Sequence, residues 1–173
     1  MVASTSMQFC YVGTELEVFA KAANWKNYVG KKLRPYITGS VIEVGAGLGG
    51  STKYLCDRSY VRWLCLDPDA KHALHLEGLI AAGKLPPCCE ARCGVLADLA
   101  PGDRADTIIY VDVLEHIQDD EAEMLAAALI LHREGTLWFS HRLLTLFTVP
   151  STKLSGIIEG TYPKTSGVCL ANR

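Results

Sequence analysis

Residues 41–50, VIEVGAGLGG, set a carboxylate beside a run of glycines whose spacing fits two nucleotide-binding turns at once. Gly45, Gly47 and Gly50 satisfy G-x-G-x-x-G, the turn that lets a backbone approach a dinucleotide pyrophosphate. Gly45, Gly47 and Gly49 satisfy a tighter G-x-G-x-G. Glu43 separates the two readings. It stands two residues before Gly45, in a run otherwise made of Val41, Ile42 and Val44. A carboxylate buried in such a strand is costly unless paired. A pyrophosphate gains nothing from an anion beside it, whereas a cofactor carrying an ammonium group does. The competing account is a glutamate satisfied within the protein, by backbone amides or by a Lys or Arg of a neighbouring helix.

Asp67 ends the next apolar run, VRWLCLD. A carboxylate there can accept the hydroxyls of an adenosine ribose. It can equally cap the helix predicted over PDAKHAL. Every adenosine cofactor shares the ribose, so Asp67 does not choose among them. His116, in YVDVLEHIQDDEAE, is the one histidine beside the predicted pocket, and its ordinary pKa suits a general base. The same residue could instead pack or orient its segment. Glu115 reads as a structural hydrogen-bonding group, and Asp119 and Asp120 as charges at a helix N-terminus.

The seven cysteines are odd in number and scattered, with Cys56 and Cys65 among apolar residues. They read as reduced thiols of a cytoplasmic protein, most of them buried. Cys88, Cys89 and Cys93, with His72 and His75 nearby, lack the C-x-x-C spacing of a metal site, so no metal is expected.

Strands predicted at about 41–45, 61–67, 88–95, 106–112 and 136–140 alternate with helices, beginning with one over about 15–37. A further helix over 119–135 carries acids at its start and Gly135 past its last turn. This alternation predicts an α/β, Rossmann-like parallel sheet with helices on both faces. Ligands of such sheets lie beyond the carboxyl ends of the strands, where the strand order switches. The 173 residues, 49% hydrophobic with formal net charge -2, make one domain with a sizeable core. No basic field points to nucleic acid, no apolar run can cross a bilayer, and the acidic N-terminus does not read as a secretory signal.

EVGAGLG, LDPD and DVLEHIQDD together resemble the class I S-adenosylmethionine-dependent methyltransferases. The resemblance runs over about residues 24–137 and is close to a subgroup of small bacterial methyltransferases that also carries LADL ahead of strand four. It implies that S-adenosyl-L-methionine is the cofactor and a small molecule, glycan or lipid precursor the acceptor. Glu43 would face the methionine end, and Gly45, Ala46, Gly47 and Gly49 would let the backbone close on it. Asp67 would hold the ribose, Pro68 or its neighbour would lie against the adenine, and backbone near Ala97 and Asp98 would contact its edge. Val111 and Asp112 would border the methionine portion, with His116 the candidate catalytic base. The alternatives are an inactive cofactor-binding module and a nicotinamide-dependent oxidoreductase.

A complete fold of this class follows strand five with a helix and an antiparallel hairpin. Residues 141–173, rich in Thr, Ser, Gly and Pro, read as an irregular tail without that hairpin. The codons of TVPSTKLSGIIEGT, read one nucleotide earlier with permitted wobble bases, can encode S-P-F-D-K-A-I-G-H-Y-R-R-Y. The subgroup carries a similar segment just after strand five. The chain is therefore expected to be out of frame from about Trp138, leaving strand five as an exposed apolar edge.

Overall fold

Short apolar runs separated by glycine and amphipathic stretches become the strands of one sheet. The structure, a computed structural model, describes residues 27, 28, 30, 31, 33–57, 59–100, 102–141 and 145–150. The strands are β1 (Ser40–Val44), β2 (Arg62–Asp67), β3 (Cys89–Cys93), β4 (Ala105–Val111), β5 (Leu131–His141) and β6 (Thr145–Pro150). The helices are α1 (Thr52–Leu55), α2 (Ala70–Ala81) and α3 (Asp120–Ile130), with single 3-10 turns at Arg34–Tyr36, Leu96–Asp98 and Leu114–His116. The sheet order is β3-β2-β1-β4-β5-β6, parallel from β3 through β5. The chain runs outward from β1 to β3 and returns to β4 on the other side of β1. That reversal puts the switch point between β1 and β4, at the end of the strands where the glycines stand.

Successive residues of each parallel strand are buried on opposite faces, which is why the strands read as continuous apolar runs. Ile42, Val44, Leu64, Leu66, Ile108, Tyr110, Leu137 and Phe139 pack with Leu96 and with Ala127 and Ile130 of α3. Val41, Trp63, Cys65, Cys89, Ile109 and Trp138 pack on the other face with Leu33, Leu55 of α1 and Leu76 of α2. Asp69 caps α2 by accepting the Lys71 N–H at 2.8 Å, and Asp119 caps α3 by accepting the Ala122 N–H at 2.9 Å. Asp67, adjacent to the first cap, is not a cap itself.

The first four predicted strands match the observed ones within two residues at each end, and helices cover both faces as expected. The expected N-terminal helix is seen at described residues between 27 and 33, followed by the turn Arg34–Tyr36; residues 15–26 lie outside the described residues. The third helix needs correction. It stops at Ile130 rather than running to Gly135. Leu131, 2% exposed, pairs with Ala105, and pairing then resumes at Thr107 with Thr136. Burial of Leu131 against β4 outweighs another helical turn, and residues 132–135 form an irregularity in the strand.

The irregular tail is corrected over 145–150. There β6 runs antiparallel to β5, from His141 paired with Thr145 to Thr136 paired with Pro150. One antiparallel strand thus follows the parallel ones, and β5 is paired by it rather than left as an edge. Residues 151–173 lie outside the described residues.

Candidate functional site at the carboxyl edge of the sheet

The glycine loop leaves β1 by a sequence of left-handed turns. Gly45, Gly47 and Gly49 have φ of 67°, 55° and 73°, values that a side chain disfavours. Space forbids a side chain as well at Gly45, where a Cβ would lie 2.6 Å from Val113 Cγ2. Backbone N–H groups of Gly45 and Ala46 donate to the Leu66 carbonyl at 2.8 and 3.2 Å, so the loop is laced to the end of β2. Gly49 N–H donates to the Ala46 carbonyl at 3.0 Å and closes the turn ahead of α1.

Asp67 anchors this loop. Its Oδ2 accepts the Gly47 N–H at 2.7 Å, and its Oδ1 accepts the Asp69 N–H at 3.0 Å. His72 Nδ1 lies 3.1 Å from the same Oδ1. Asp67 is buried and is the last residue of β2. A carboxylate offers about four acceptor sites, so one on Oδ2 remains beyond these three contacts. His72 carries no motif in the sequence; its reach to Asp67 follows only from the position of α2. The backbone N–H of Gly94 donates to the Asp67 carbonyl at 2.9 Å, tying the loop after β3 to the same edge. In that loop Ala97 and Asp98 are exposed, and Asp98 Oδ2 accepts the Val95 N–H at 2.9 Å. Pro68 is exposed beside Asp67.

Glu43 is 1% exposed, under the loop. Its Oε2 accepts from the Thr52 hydroxyl and from the Trp63 indole N–H, both at 2.8 Å. Two neutral side-chain donors thus take part in holding it, within the protein. Trp63 stands on the neighbouring strand and Thr52 opens α1, so neither is local in sequence.

At the end of β4, Val111 and Asp112 are half-buried. Asp112 is the one described non-glycine residue with left-handed backbone, φ 53°. Such strain is tolerated best by Asp and Asn, and it turns the chain so that Val113 covers Gly45. Sequence spacing thus brings together Glu43, the glycines, Asp67 and the end of β4. His116 stands apart: it is exposed on the turn Leu114–His116, and among the described residues its ring makes no hydrogen bond. Below the edge, the Tyr110 hydroxyl donates to Glu123 Oε1 at 2.8 Å, joining β4 to α3, and burial raises the Glu123 pKa.

A second grouping lies at the amino end of the strands. Cys56 Sγ is 3.6 Å from Cys88 Sγ and 3.5 Å from Cys89 Sγ. Thiol hydrogen bonds from Cys56 and then Cys65 hold the Cys89 pKa down, to about 4. The same bonds, and then burial, push Cys56 and Cys65 up. The sequence argument against a metal concerned Cys88, Cys89 and Cys93; the fold instead supplies Cys56, thirty-two residues from Cys88. No spacing rule could have found that.

A protein-family model described as a methyltransferase domain matches residues 42–139. No curated protein matches the chain. Among solved structures, the chain resembles an S-adenosylmethionine-dependent methyltransferase from Clostridium acetobutylicum, with TM-score 0.56 and 17% identity over 72% of this chain and 55% of that one. It also resembles one described as a putative S-adenosyl-L-methionine-dependent methyltransferase from Methanococcus maripaludis, with TM-score 0.65 and 16% identity over 85% and 67%. A third is DhpI in complex with SAH, with TM-score 0.56 and 23% identity over 72% and 61%. At these identities the likeness is one of fold. The chain spans about half the length of the first structures it matches, 55% and 50%.

Proposed function

We propose, from the premise that this chain belongs to the methyltransferase-domain family, that it binds S-adenosyl-L-methionine at the glycine loop and transfers the methyl group to a small-molecule, glycan or lipid-precursor acceptor. The observation that carries the reading is the Gly47 N–H held by Asp67 across three left-handed glycines. That arrangement makes a turn of bare backbone, closed to a side chain at Gly45, with a carboxylate acceptor site beside it.

When bound, the cofactor supplies a sulfonium methyl that is an electrophile without help from the protein. The protein's task is binding and alignment. Gly45, Ala46, Gly47 and Gly49 would line the cofactor with backbone, and Asp67 would offer its remaining Oδ2 site to a ribose hydroxyl. Pro68 would lie against the adenine, with backbone of Ala97 and Asp98 at its rim. Val111 and Asp112 would border the methionine portion. Glu43 would act from below, its charge favouring an ammonium above the loop. His116 would take a proton from an oxygen acceptor; its exposure leaves the ring accessible to one.

No described helix is long and apolar enough to cross a membrane. Free cysteines in the core suit the reducing cytoplasm. Calorimetry with S-adenosylhomocysteine and with NAD on one preparation tests the cofactor. Binding of the first alone is expected, and binding of NAD alone would overturn the reading. Formation of S-adenosylhomocysteine from S-adenosylmethionine on adding a cell extract tests transfer; binding without turnover would mark a cofactor module.

A further inference from the structure

We propose that Cys56, Cys88 and Cys89 form a site for one thiophilic metal ion, zinc(II), at the amino-terminal edge of the sheet, at the opposite end of the strands from the glycine loop. The three Sγ atoms lie within 4.8 Å of one another. They come from three places: the residue after α1, the bend before β3, and the first residue of β3. Adjacent cysteines in an extended strand would point to opposite faces. Here the Pro86 carbonyl accepts the Cys89 N–H at 3.0 Å, and the bend so formed lets Cys88 join Cys89 at Cys56.

The spacing suits a metal. A tetrahedral zinc with bonds of about 2.3 Å needs its sulfurs about 3.8 Å apart. The 3.5 and 3.6 Å separations reach that by small side-chain rotations. The donor set is sulfur, the choice of a soft ion over magnesium or calcium. Cys65, whose thiol interacts with Cys89, or a water would complete a fourth position. Cys56 and Cys89 are each 4% exposed within the core formed with Trp63 and Leu55, while Cys88 is half-buried and gives the ion a way in. A disulfide would join only two of the three sulfurs and strand the other beside it. One ion satisfies all three.

The test uses the full chain, reduced and handled without oxygen. After zinc loading and gel filtration, one zinc per chain is expected by elemental mass spectrometry. Cobalt(II), used as a probe, should give thiolate-to-metal charge-transfer absorption that zinc abolishes. Cys88→Ser should weaken zinc binding by at least about 100-fold, the upper end of what loss of a mere supporting group costs a metal site. Cys93→Ser, altering the exposed cysteine outside the cluster, should change nothing. A second measurement does not depend on any variant folding: zinc should protect Cys56, Cys88 and Cys89 of the parent from alkylation, read peptide by peptide. The proposal is overturned by cobalt spectra without the charge-transfer band, by alkylation indifferent to zinc, or by a Cys56 disulfide in the freshly isolated chain.

Discussion

Asp67→Asn separates the loop anchoring that this carboxylate performs from the ribose contact proposed for it. Three of its four acceptor sites are spent inside the protein, on Gly47 N–H, Asp69 N–H and His72. An amide in its place must turn an NH2 toward one of the two backbone donors, whichever way it is oriented. One buried N–H is then left without an acceptor, a cost of about 1–3 kcal/mol. For a chain of this size, each kcal/mol lowers Tm by about 2–4 °C, so a fall of about 2–12 °C is expected in scanning calorimetry without ligand. The remaining Oδ2 site is the one assigned to a ribose hydroxyl. A lost charge-assisted bond is worth about 1.5–3 kcal/mol, which weakens S-adenosylhomocysteine binding by about 10- to 150-fold in titration calorimetry. A variant that melts lower yet binds S-adenosylhomocysteine like the parent would refute the ribose assignment and leave Asp67 a loop anchor only. A variant unchanged in both would refute the hydrogen-bond account of the loop.

Gly45→Ala should lose about 1–3 kcal/mol in urea denaturation, because its Cβ meets Val113 at 2.6 Å and its φ is 67°. Adding Val113→Ala should recover part of that loss; no recovery would rule out the clash. Glu43→Gln keeps an oxygen for Thr52 and Trp63 while removing a buried charge, so Tm should hold or rise while cofactor affinity falls. Equal affinity would show that the charge faces no ligand ammonium. Arg92 donates to Asp103 at 2.8 Å and, with Arg62, holds its carboxyl below the ordinary 3.8. The resulting stability is present above that value and is lost as pH falls through the lower folded value, so Asp103→Asn should flatten the acid limb of a Tm-against-pH curve. We further propose that the reading frame shifts at about Trp138, whose indole N–H is, among the described residues, the one fully buried side-chain polar atom without a hydrogen-bond partner. The coding DNA decides this: a stop codon in the frame one nucleotide earlier, or failure to encode G-H-Y-R-R-Y there, ends the idea.

Four strands and the glycine turn were legible because their signals are local. A parallel strand buried on both faces must be an apolar run, and a turn that needs positive φ must be glycine. What escaped depended on distance or on competition. Asp67 could be a cap from sequence, and the geometry of α2 gives that role to Asp69 instead. Leu131 belongs to a helical pattern until β4 is there to pair with it. Residues 145–150 carry turn-formers nearby and no clear period, yet β5 recruits them as a neighbouring strand. Glu43's partners were invisible because Thr52 and Trp63 lie 9 and 20 residues away. The thiol grouping needed Cys56 from another element.

Trp63 connects the two ends of the molecule optically. Its indole N–H points at Glu43, while its backbone N–H donates to the Cys88 carbonyl at 2.8 Å. Its ring is fully buried, with Tyr60 at a centroid distance of 5.0 Å. An anion at the nitrogen end of an excited indole shifts its emission, and a heavy or open-shell ion near its strand quenches it. Trp63, one of three tryptophans, is therefore a built-in fluorophore, in contact with the carboxylate under the loop and one backbone hydrogen bond from Cys88. With Trp25 and Trp138 replaced by Phe, its emission wavelength would follow the first and its intensity the second, without a label.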